Sequence, residues 1–316
     1  MESIPHTPLR VLLALKPFSE TAALEAHLES RFAGLSIELH VITIASSPAK
    51  AGEALVHLRA QGERLKQLNC VAHVRTQLDE GQVAEAINAA ALRLRPSVVL
   101  LQKLQRKRLL SSLGLSSVTR QVCQQASYPV EVIKQRSAGA EEAYRVLIPM
   151  TEESLDLYPI EKLLDHPLPE SSIVRFLALL PPQLDDGFAE SSAIEILRDL
   201  GASTARTVRL ESRLQQLCDA LSAALDPSIR IDYQIQYESS SASAISESIR
   251  LGADLLVIPN QTADGFTQGV NRAMSPAAML MAAHCSVLML GHSLPRNFAL
   301  GNRLLALAAS NQQPNP

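Results

Sequence analysis

Short apolar runs alternate along the chain with longer stretches of helical period. Residues 11–15 (VLLAL) are uniformly apolar, as suits a strand buried on both faces. Residues 16–19 (KPFS) end that run. Leu24, Leu28 and Phe32 then recur at i, i+4 and i+8, the spacing of one helix face. Residues 35–44 read as a second strand. Ser47-Pro48 reads as a helix start, an N-cap followed by proline at the first helical position. Ala51, Leu55, Leu58 and Leu65 form the apolar stripe expected of that helix. Residues 71–76 make a third strand. Val83, Ile87, Ala90 and Leu94 mark a third helix, 97–101 a fourth strand, 118–126 a fourth helix and 130–133 a fifth strand. Strands alternating with helices predict right-handed βαβ units and a parallel sheet.

The pattern restarts at residues 146–150. A strand over 172–180 follows, then a long helix carrying Leu210, Leu214, Leu217 and Leu221. Residues 229–235 make another strand, a helix bears Ile245 and Ile249, and strands over 254–258 and 287–290 complete the series. Leu101 to Pro129 spans 28 residues, as does Ile258 to Ser286, which points to a duplicated unit. Val11 maps to Val146 and Ser97 to Asp254, so the offset grows from 135 to 157. With His73 mapping near Asp232, the gain falls before the third strand, and we expect extra helix around 180–225. The organisation read from these breaks is a first domain over 1–134, a linker over 135–143 and a second domain over 144–291. A tail over 292–316 follows, in which Leu300, Leu304 and Leu307 share a helical face suited to packing on its own chain or a dimer mate.

Composition narrows the class. The chain has 316 residues, 47% hydrophobic and 19% charged, as a globular protein should. No apolar run reaches the roughly 18 residues of a membrane span, and the first ten residues lack a secretory layout. Cys70, Cys123, Cys218 and Cys285 stand apart, without metal-ligand spacing, and read as reduced and buried in a cytoplasmic protein. Tryptophan is absent and aromatics are 3%, against a base-stacking platform; nucleic-acid binding is not expected. Residues 1–143 carry 17 Lys/Arg against 13 Asp/Glu (+4), and 144–316 carry 12 against 19 (−7), so the halves differ in charge.

Candidate chemistry collects where strands meet loops. A fully apolar strand ends in the basic loop of Lys103, Arg106, Lys107 and Arg108, and Ser116-Ser117 then opens a helix. With Lys16 these form a candidate anion site at the carboxyl edge of the sheet, where open α/β folds bind ligands. The competing reading is a solvated basic loop. In the second domain the same edge offers Thr151, Asn260 and Thr262, with Glu152, Glu153, Gln261 and Asp264, for a neutral or cationic ligand, or only a polar loop. The eight histidines are scattered, and no acid/base dyad or metal cluster emerges, so no enzyme is expected.

The order of elements, the paired fourth strands, the stretch ADLLVI at 253–258 and the endings SSVTRQVCQQASYPVEVI and AMSPAAMLMAAHCSVLML resemble a tandem universal stress protein. The resemblance implies two flavodoxin-like, Rossmann-like domains, each a five-stranded parallel sheet of order 3-2-1-4-5 flanked by helices. It also implies that the two fifth strands pair within the chain. ATP-binding members of that family carry Gly-x2-Gly-x9-Gly-Ser/Thr after the fourth strand and an Asp ending the first. Here the leading glycines are Gln102 and Gln105, or Pro259 and Thr262; the Gly-Ser pair is Ser116-Ser117, or Ala273-Met274; and the Asp is Lys16, or Thr151. The resemblance therefore implies a non-catalytic stress-response or regulatory protein, its nucleotide sites lost or weakened, that works through a protein partner and could form a homodimer. The alternative is a sensor holding ATP, AMP or another anion in the first domain only, with weak ATPase activity as a remoter variant.

Overall fold

The computed structural model describes residues 8–19, 21–45, 47–102, 117–134, 143–151, 168–180, 193–238, 240–259 and 275–291, with backbone alone at 117, 193–203 and 259. The first half runs β1 (Leu9–Leu15), α1 (Ala22–Arg31), β2 (Ile37–Ala45), α2 (Pro48–Leu65), β3 (Val71–Glu80), α3 (Val83–Leu94), β4 (Val98–Gln102), α4 (Ser117–Gln125) and β5 (Val130–Ile133). The second half runs β6 (Arg145–Thr151), β7 (Ile173–Leu179), α5 (Ala193–Ala224), β8 (Arg230–Gln236), α6 (Ser241–Leu251), β9 (Leu255–Pro259), α7 (Pro276–Ala282) and β10 (Ser286–Leu290).

All ten strands form one sheet, ordered β3-β2-β1-β4-β5-β10-β9-β6-β7-β8. Each half thus has the order 3-2-1-4-5, as expected, and is parallel throughout. The halves meet along an antiparallel seam, in register Val132↔Val287, Glu131↔Leu288 and Val130↔Met289. β1, β4, β5, β9 and β10 are buried on both faces, which is why their sequences are near-continuous apolar runs. One apolar cluster joins α1, α2 and α5 to one face, and a second joins α3, α4, α6 and α7 to the other. Each cluster contains residues of both halves. No described helix is long and apolar enough to cross a membrane.

Three details differ from the sequence reading. Helix α2 buries Ala54, Leu58, Gln61, Gly62 and Leu65, while Ala51 and Leu55 are half-buried. The cause is Gly62, which lets the helix approach β3 so closely that a Cβ there would lie 2.7 Å from Thr76 Cγ2. Second, strand register sets Arg75, not His73, as the counterpart of Asp232, because His40 pairs with Arg75 just as Arg175 pairs with Asp232. Third, α6 exposes Ile249 and buries Ser241, Ala244, Glu247 and Ser248. Of the 22 extra residues before the third strand of the second half, 14 are helical, since α5 has 32 residues against 18 in α2.

Candidate functional site

In each half the strand order reverses between the first and fourth strands, so the carboxyl ends of β1 and β4, and of β6 and β9, border the crevice open to a ligand. β1 and β4 stay paired through Ala14↔Leu101, which brings the chain at Lys16 alongside Gln102. Lys16 is exposed. Its carbonyl accepts from Ser19 N (3.3 Å) and Ser19 Oγ (2.9 Å), closing a turn, and Gln61 Nε2 of α2 donates to Ser19 O at 3.0 Å. This turn holds Phe18 at φ 61°, costly for a residue with a side chain, and leaves it 54% exposed. The Phe18 ring meets His57 edge-on, with centroids 5.2 Å apart. Two buried polar atoms on β2 and α2, Thr43 Oγ1 and His57 Nδ1, have no hydrogen-bond partner among the described residues.

The structure thus places Lys16 at the first switch point and starts α4 at Ser117. Lys103, Arg106, Arg108 and Ser116, the rest of the proposed anion site, lie outside the described residues. In the second half Thr151 ends β6, half-buried and paired with Leu179; Asn260 and Thr262 lie outside the described residues. The β6–β9 pairing stops at Leu147↔Leu256. Pro149 stands in β6 where β1 has Ala14, and Pro259 ends β9. Neither proline has an N–H to donate, so these two positions offer neither a ladder bond nor an amide to a phosphate.

Among the described residues no group of His, Cys, Asp and Glu is placed to hold a metal ion. All four cysteines are buried and free. Burial pushes the Cys123 thiol up to about 12 and those of Cys218 and Cys285 to about 11, so none of these three is a thiolate nucleophile near neutrality. A polar groove of about 690 Å³ opens between β8 and α6, lined in part by Gln236, Tyr237, Ser243 and Arg250. It lies at the sheet's outer corner, and its Arg250 is engaged by Glu247 and Gln234.

The residues missed by sequence reasoning are buried carboxylates. Glu131, fully buried on β5, accepts from His27 (2.7 Å) and from Arg31 Nε (3.4 Å) of α1. Desolvation alone would raise its pKa, but the His27 hydrogen bond and the charges of His27 and Arg31 outweigh it and hold the carboxyl below its ordinary value. Glu247, 2% exposed, pairs with Arg250 at 2.7 Å and Arg175 at 3.5 Å. For Glu131 a signal was available, a lone acid in the strand VEVI. Glu247 lies in an ordinary amphipathic stretch and left none.

No protein-family model matches the sequence, and no curated protein matches it. Solved structures do. A protein of unknown function from Pseudomonas aeruginosa PAO1 matches with a TM-score of 0.54 and 15% identity, over 95% of this chain and 97% of its own. A universal stress protein from Archaeoglobus fulgidus DSM 4304 matches with a TM-score of 0.59 and 11% identity, over 89% of this chain and 96% of its own. At such identities the likeness establishes the fold, that of universal stress proteins.

Proposed function

We propose that this chain is a non-catalytic stress-response regulator that acts through protein contacts, its two nucleotide sites reduced to scaffold. One observation carries the reading: a universal-stress-protein fold spans almost the whole chain, yet its second switch point ends in Pro149 and Pro259 and its first in Gln102. A phosphate cradle needs free amides approached at close range, which proline removes and a side chain hinders. The basic loop with Lys103, Arg106 and Arg108 is the contact surface this reading assigns to an acidic partner. Triple alanine substitution of those three residues is expected to abolish partner recovery in a pull-down. Unchanged recovery removes the loop from the proposal.

The first switch point favours a second reading, a sensor for ATP, AMP or another anion. Exposed Lys16, exposed Phe18 in a costly backbone conformation, and the unpartnered Thr43 and His57 atoms support it. Lys16 and the first turn of α4 at Ser117 would hold the anion, and Phe18 offers a face for a base. Mass spectrometry of small molecules released from freshly purified protein, followed by calorimetric titration with ATP, AMP and cyclic nucleotides, separates the readings. A stoichiometric ligand, or heat lost on Lys16→Ala, establishes the sensor. No ligand and no heat from folded protein sinks it, together with any ATPase activity.

A further inference from the structure

The β5–β10 seam contains more than the pairing of two strands. β4 and β5 pair Val99↔Val130, and β9 and β10 pair Leu256↔Val287, so each residue of β5 has its counterpart 157 positions later in β10. On that equivalence Glu131 corresponds to Leu288 and Lys134 to Gly291. The seam register sets Glu131 directly opposite Leu288. A pseudo-twofold axis relating the halves therefore passes between these two residues. The groups nearest the axis are the ones that differ.

We propose that this asymmetry makes the seam a heterotypic interface: the β5 edge accepts the β10 edge of a second half and rejects a second copy of itself. Suppose two β5 edges met in the same register. Glu131 would face Glu131, with Cβ atoms about 4.5–5.5 Å apart as for directly opposed residues. Both carboxylates would be sealed from water, and opposed like charges there are strongly unfavourable. The copy's Lys134 would also occupy the place of Gly291. A Cβ at that place meets the Tyr128 backbone C, Cα and N at 2.3, 2.5 and 2.6 Å, all closer than atoms can approach. Backbone cannot swing aside as a side-chain end can, so only glycine fits.

The reverse error, β10 against β10, loses contacts instead of clashing. Lys134 donates from Nζ to Ala283 O at 2.5 Å, at the carboxyl end of α7, and from its backbone N to Ser286 Oγ at 3.2 Å. A cation at a helix C-terminus is favourable. Gly291 in that place supplies no side chain, and Leu288 opposite Leu288 gives nothing polar. Each edge thus prefers the other, for independent reasons. It follows that a second chain can enter the seam only by exchanging halves, β5 with the other copy's β10.

The test uses the whole chain with a protease site inserted between Ala138 and Gly139, cleaved after purification. The cleaved protein is diluted, reconcentrated and weighed by native mass spectrometry. The expected species contain equal numbers of first and second fragments, with no pair of first fragments. In the doubly substituted chain, Glu131→Leu with Lys134→Gly, residues 129–134 read PVLVIG beside SVLMLG at 286–291. Pairs of first fragments are expected to appear there. Three results overturn the proposal: first-fragment pairs from the unsubstituted chain, none from the doubly substituted one, or fragments that do not stay together at all. Circular dichroism of the intact doubly substituted chain shows whether it folds; if it does not, the unsubstituted chain decides alone, and first-fragment pairs from it overturn the proposal.

Discussion

Single residues at the seam act through space and charge. Gly291 sits against the Tyr128 backbone with no room for a methyl group, whereas Gly52 on the exposed face of α2 has nothing within 4 Å of a Cβ. The same change should therefore have opposite signs. Gly291→Ala should destabilise by about 1–3 kcal/mol or more, the usual range for overpacking. Gly52→Ala should stabilise by about 0.8–1 kcal/mol, the helix-propensity difference. Urea denaturation of both variants checks the pair, and equal effects would mean that the seam relaxes around the methyl group. Glu131 gives the corresponding charge prediction. Glu131→Gln leaves Arg31, 1% exposed, without that counter-charge. Breaking a buried pair from one side costs about 3–5 kcal/mol. Because the folded pKa of Glu131 is depressed, its stabilisation is complete above the unfolded-state value and disappears as pH falls through the folded value. The stability gap between Glu131→Gln and the unsubstituted protein should be widest near neutrality and narrow in acid. A gap independent of pH would show that the carboxylate charge is not what Arg31 requires.

At the level of elements, strands were easier to read than helix faces. A strand buried on both sides must be apolar at every position, so β1, β4 and β10 announced themselves. Helix orientation depends on what lies across from it. Ile249 looked like a core residue, but α6 turns small residues and Glu247 inward. That inversion works only because Arg175, from a strand 72 positions away in the chain, and Arg250 meet the carboxylate. Glu131 likewise finds partners 104 and 100 residues away. Local periodicity carries no record of such contacts, and the second switch point shows the same limit. Pro149 and Pro259 were visible, but that β6 and β9 part after Leu147 is a property of the pair. Where the signal is local, as at Ser47-Pro48, the helix start was legible. Ser240 caps α6 by accepting from Ser243 N at 3.1 Å. Ser240→Ala should cost about 0.5–2 kcal/mol by thermal or urea unfolding. No loss would mean that the neighbouring serines take over the cap.

For the whole molecule, the question is whether two similar halves unfold as two units or one. Equal internal sheets argue for two. The packing argues for one, because β5 and β10 are buried on both faces and each apolar cluster runs through the seam into the other half. Unfolding one half alone would expose the partner's fifth strand, the adjoining cluster residues and, at Glu131 or Lys134, a buried charge whose contacts bridge elements. The cysteines report this directly. Cys70 and Cys123 lie in the first half, Cys218 and Cys285 in the second, and all four are buried. Burial keeps each of them protonated as well as shielded, so none should react with an alkylating reagent in the folded protein near neutrality. Across a urea series, mass-resolved alkylation should therefore show all four becoming reactive at one midpoint. Reaction of the second-half pair at clearly lower urea would show that the seam does not couple the halves, and that the ten-stranded sheet is two sheets in contact.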